Sequence, residues 1–168
     1  MASMSILNTE HQYGQVSRAL HWIIVLAILA QWLLAEAGDS AIQLHQSVGM
    51  SVLALALVRL VWRVLNPSPA WPEDMKRYEV TLARVVHVAF YVLLFAIPIT
   101  GWALSSVEDE PLRFFGWFDV PRLVLGSEDT LEEVHEVLFN ILVALAALHA
   151  LGAAKHWLAR QNRGPTLR

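Results

Sequence analysis

Seven histidines occur in 168 residues, and six of them stand inside or at the edge of long apolar runs: His21, His45, His87, His135, His149 and His156. An imidazole placed in hydrocarbon is costly unless something satisfies its nitrogens, and a metal is the partner that neutral imidazole serves most often. The chain has no cysteine. Thiolate-held clusters and covalent haem attachment through C-x-x-C-H are therefore excluded, and any haem has to be held non-covalently.

The elements that position these rings follow from composition. With 56 % hydrophobic residues, 16 % charged residues and a mean hydropathy of +0.46, the chain is too apolar for a soluble domain of its size. Four runs of about twenty apolar residues each suit membrane spans. Lipid leaves a spanning backbone to satisfy its own hydrogen bonds, and the ten-residue alternation of a barrel is missing, so the spans are helices. The expected fold is all-α: one transmembrane domain over 1–168, an integral membrane four-helix bundle with helices at about 18–36, 42–65, 81–104 and 132–158. Pro67, Pro69 and Pro72 break the chain between the second and third spans. Pro111, Pro121 and Gly126 do so between the third and fourth, where Phe114, Phe115, Trp117 and Phe118 suit the headgroup level. No basic n-region or small-residue cleavage site marks the N-terminus, so the first span is expected to be retained.

Orientation rests on Lys and Arg, which stay on the cytoplasmic side. Ten of the twelve fall on one side; only Arg113 and Arg122 fall on the other. Both termini are expected to be cytoplasmic, in a multi-pass protein of the bacterial inner membrane. Topology accounts for the basic residues without a nucleic-acid partner; the lipid bilayer is the partner they indicate.

Depth then sorts the histidines. His45 and His135 lie near the periplasmic starts of the second and fourth helices and form a candidate ligand pair. His21, His87 and His149 share the opposite depth and offer one further pair. Fourteen residues separate His135 from His149, nearly four whole turns and a rise of about 21 Å, so both imidazoles leave one face of the fourth helix. That spacing suits two haems stacked across the membrane. His156 follows seven residues later at the inner interface, and His11 lies in a polar tail. Gly49, Gly101 and Gly152 give a flat macrocycle room.

Several motifs in fixed order carry a family likeness: Ser17-Arg18-Ala19-Leu20-His21-Trp22, His45 to Gly49, Arg59 to Arg63 with Asn66-Pro67 and Pro69, His87 and Tyr91 through Pro98 and Gly101, and His135-Glu136 with Asn140 through His149. The whole chain resembles the prokaryotic cytochrome b561 family, small four-helix dihaem membrane cytochromes. The resemblance implies two b haems, His45 and His135 as axial iron ligands of the outer one and His21 and His149 of the inner one. His87 and His156, with Arg18, Lys76 and Arg77, then suit a quinone site or haem propionates. Arg84 and Trp157 stand where relatives often carry further histidines, and the C-terminal sequence lacks the usual aspartate-glycine ending.

Histidine on both axial positions leaves no open site for oxygen chemistry, so electrons rather than atoms are transferred. The expected function is electron transfer between ubiquinone or ubiquinol and a periplasmic donor or acceptor, and the resemblance adds superoxide oxidation coupled to quinone reduction. Two other readings are open: a haem-bearing anchor subunit of a larger dehydrogenase or hydrogenase, and a histidine-lined transporter. Two depth-matched histidine sets and no thiol predict two protohaems per chain, both extracted by acid–acetone. A value that stays near one haem per folded chain in a pyridine haemochrome assay overturns the pairing.

Overall fold

The computed structural model describes residues 5–71, 75–107 and 112–161. Four helices dominate: α1 (Gln15–Glu36), α2 (Ile42–Leu65), α3 (Arg77–Val107) and α4 (Glu128–Gln161). All four are long and apolar enough to cross a membrane. The 22 residues of α1 rise about 33 Å, which matches a hydrocarbon core of about 30 Å.

Helices α3 and α4 extend past the ranges expected from hydropathy because each gains a polar first turn. Glu79 accepts a hydrogen bond from the backbone N–H of Lys76 at 3.1 Å, which begins α3 at Arg77. Ser127 meets Thr130 at 2.9 Å, and Glu128 and Asp129 place negative charge at the positive end of α4. Pro67 stops α2, since the residue before proline is driven out of helical conformation; Asn66 is there at φ −127° and ψ 88°. The Asn8 amide donates to the carbonyls of Asn66 and Pro67 at 3.0 and 3.2 Å and accepts from Ser17 Oγ at 2.7 Å. The N-terminal strap is thereby tied to the end of α2.

At the opposite end, a one-turn 3-10 helix (Gly38–Ala41) joins α1 to α2. A small antiparallel hairpin, β1 (Arg113–Phe114) with β2 (Phe118–Asp119), covers that end of α2. Its turn puts Phe115 at φ 49° and Gly116 at φ 75°, both left-handed. Ser47, buried in α2, accepts the N–H of Phe115 at 2.9 Å and is the clasp of this hairpin.

Packing follows chain order: α1 lies on α2, α2 on α3 and α3 on α4, while no Cα of α1 comes within 8 Å of α4 among the described residues. The same holds for the diagonal pairs. The helices therefore stand around a central space instead of collapsing into it. At mid-depth Ile24 of α1, Val52 and Ala56 of α2 and Leu94 of α3 form a buried cluster. Large apolar side chains such as Leu33, Val64, Val88 and Leu151 point outward, each more than 60 % exposed. That outward apolar surface is the lipid-facing side of a membrane bundle.

Candidate functional site

Above the mid-depth cluster, at the end away from the termini, lies an apolar cavity of about 250 Å³ walled by all four helices and Leu112. His45 of α2 and His135 of α4 face each other across it, ring centres 6.4 Å apart and planes at 69°. Each Nδ1 is engaged. His45 Nδ1 lies 3.3 Å from the Gln31 carbonyl, which can only accept, so the ring donates there. His135 Nδ1 lies 3.1 Å from Thr100 Oγ, whose own proton goes to the Ile97 carbonyl at 2.9 Å, so this ring donates too. Both rings thus keep the Nε2 lone pair free, the tautomer that outer hydrogen bonds select for metal binding. Two imidazoles bonded to one metal at about 2 Å each bring their ring centres to about 6 Å apart.

Glycine at 101 keeps this arrangement open. A Cβ there would stand 3.0 Å from Cε1 of His135, and one at Gly49 would stand 2.9 Å from the Gln31 amide nitrogen. Pro98, one turn earlier in α3, lines the same cavity.

Below the cluster, toward the termini, His87 of α3 and His149 of α4 lie with ring centres 5.7 Å apart. Phe90 presents its ring to His149 at 5.5 Å, and Trp71 of the α2–α3 connection lies 6.3 Å from His87. His21 of α1 and Arg59 of α2 are close enough to act electrostatically on this group. Three histidines from three helices are gathered, as their depth implied, and His87 stands beside His149. Lys76 holds its ammonium 5.9 Å from the Tyr78 ring centre, while Arg18 and Arg77 sit in the first turns of α1 and α3. The side chain of His156 lies outside the described residues.

In the sequence Arg59 stands out as a topological charge and as part of the Arg59 to Arg63 motif, without a place in the site, and Thr100, Gln31 and Trp71 carry no signal of their own. Spacing could have found the first. Each helix carries a second position fourteen residues from its histidine: His21 and Ala35, His45 and Arg59, His87 and Gly101, His135 and His149. Fourteen residues return to nearly the same face about 21 Å along. Ala35, His45, Gly101 and His135 all line the far cavity, while His21, Arg59, His87 and His149 make up the lower group.

The family model for prokaryotic cytochrome b561 matches residues 12–164, which takes in all four helices. The chain belongs to the prokaryotic cytochrome b561 family. Among curated relatives, it is 32 % identical over 166 residues to cytochrome b561 homolog 2 of Escherichia coli (strain K12), covering 91 % of this chain and 88 % of that protein. It is 26 % identical over 155 residues to the probable superoxide oxidase CybB of Yersinia pestis, covering 86 % and 88 %. A cytochrome b561 is a membrane electron-transfer protein that binds haem b. The residues present fit that group: paired imidazoles with free Nε2 atoms, an apolar cavity, and glycine where a side chain would intrude.

Thr100→Val leaves His135 Nδ1 without its acceptor and is expected to weaken haem binding in the far cavity by about 10–100-fold, with Thr100→Ser close to wild type. Haem titration of detergent-solubilised apoprotein checks this. Equal affinity in Val and Ser variants removes the hydroxyl from the site.

Proposed function

We propose that this cytochrome b561 carries two b haems, one between His45 and His135 and one between His21 and His149. The observation that carries the reading is the far cavity, where two imidazoles with engaged Nδ1 atoms oppose each other at 6.4 Å. At the lower level α2 offers Arg59 in place of a histidine, so the partner for His149 comes from α1 or α3. The family resemblance favours His21, which leaves His87 as a hydrogen-bonding neighbour. When bound, each haem supplies a one-electron ferrous/ferric couple. The chain fixes the His45 and His135 imidazoles through Gln31 and Thr100, and these two rings would hold the far haem. Its mid-depth cluster of Ile24, Val52, Ala56 and Leu94 keeps water from between the two levels.

Electrons on this reading pass between ubiquinone or ubiquinol and a periplasmic donor or acceptor. The inner membrane location with both termini cytoplasmic follows from the ten basic residues at the termini end. A quinone near His87 and Trp71 sits on that side. Superoxide is a candidate reductant because one relative is called a probable superoxide oxidase. The electrostatics of the far end oppose it: eleven acidic residues of the sequence fall there, Glu136 of the cavity wall among them, against two arginines. Arg113 is paired with Asp119 at 3.0 Å, so it offers no bare cation to an approaching anion.

Ligand assignment is tested by haem content. His45→Ala and His135→Ala are expected to lose the far haem, and His149→Ala and His21→Ala the near one, while His87→Ala retains both and reacts more slowly with quinol. Loss of the near haem in His87→Ala with its survival in His21→Ala reverses the partner of His149.

Stopped-flow mixing with superoxide tests the electrostatics. Haem reduction is expected to be slow and to quicken as salt screens the acidic end. Reduction near the diffusion limit that slows with added salt points instead to a local positive entrance.

A further inference from the structure

Two arginines of α2, Arg59 and Arg63, act electrostatically on the lower group, and the guanidinium Nη1 of Arg59 is buried without a hydrogen-bond partner among the described residues. His87 Nδ1 is in the same condition. Both belong to one electrostatic group with His21 and His149. A permanently charged donor left unsatisfied is costly in a bilayer and calls for an acceptor, and the unpartnered imidazole nitrogen beside it can serve the same group in its N–H tautomer.

Among the described residues no side chain supplies that acceptor. Neither α2 nor the stretch of α4 from Val137 to Gln161 holds an acidic residue, and the acidic residue of α1 is Glu36, at its far end. Helix α3 has only Glu79, which is paired with Lys155 at 3.1 Å and caps Lys76 N–H. Arg63, one turn further along α2, lies 5.7 Å from the Tyr91 ring centre and has that aromatic face as its partner. Arg59 is thus a half-buried cation with one guanidinium nitrogen left bare inside the bundle, where a bound group can supply the counter-charge. A guanidinium fork and an imidazole N–H are the donors that suit a carboxylate.

We propose that Arg59, assisted by His87, binds a carboxylate of the haem held at the termini end; the proposal rests on the two-haem reading. The far site has no equivalent, since the positions that correspond on α1 and α3 are Ala35 and Gly101. One end of the protein therefore anchors a haem carboxylate by charge and the other leaves it to solvent. Arg59 is a positioning residue: it sets the register of the macrocycle in the bundle and compensates negative charge close to the iron.

Redox titration of the purified holoprotein separates the two haems. Arg59→Gln leaves a carboxylate uncompensated, which favours the ferric state, so the near-haem potential is expected to shift negative while the far-haem potential stays. Arg59→Lys is expected to recover most of the shift, and Arg63→Gln to produce a smaller one. Resonance Raman should show a changed propionate bending band for the near haem in Arg59→Gln alone. If Arg59→Gln loses the near haem altogether, retention in Arg59→Lys supports the anchor and equal loss in both overturns it. Two haems bound with both potentials and the propionate band unchanged in Arg59→Gln also overturn it. A single haem in the wild-type protein refutes the two-haem reading itself, and the anchor with it.

Discussion

Hydrocarbon has no hydrogen-bond partner to offer, and nearly every feature of this protein answers to that fact. The backbone turns inward on itself as four helices. Serine hydroxyls inside the bundle bond back to their own helices: Ser47 to the Gln43 carbonyl, Ser51 to that of Ser47, and Ser105 and Ser106 to that of Trp102. Imidazoles face the interior because lipid cannot satisfy them, and there they meet one another across a gap.

That gap explains why so little of the chain is buried against itself. A helix bundle without a bound group reaches stability by interdigitating its side chains. Here no Cα of the first helix comes within 8 Å of the last among the described residues, and the buried cluster around Ile24 and Val52 is small. The far level keeps an apolar cavity between its two facing rings. Haem b then belongs to the packing as much as to the chemistry, and folding and cofactor capture become linked equilibria.

The two levels differ in charge. At the far end the rings are held by a backbone carbonyl and a threonine hydroxyl, neutral groups, beneath an acidic loop region in which Arg113 is tied to Asp119. At the termini end the rings share their space with Arg59, and Arg63 stands one turn away. A cation near a haem disfavours its ferric state, so a haem bound at the termini end would have its potential raised by the protein's own charge.

The sequence by itself determined the four apolar helices, their antiparallel order and the sorting of histidines into two depths. Hydropathy and a period of 3.6 residues are local properties, and fourteen residues are nearly four turns wherever they occur. Family likeness supplied the expected ligand sets by the same linear route. Tertiary structure decided what no linear pattern carries: that Thr100 and the Gln31 carbonyl fix the tautomers of His135 and His45, and that Gly101 is small because a ring lies against it. It also brought Trp71 from a connecting segment to His87, and it left Arg59 without a carboxylate. These contacts join different helices, and their pairing depends on how the helices rotate against one another. Arg59 shows the division most clearly: its charge was legible as topology, but its isolation follows only from which side chains share its depth.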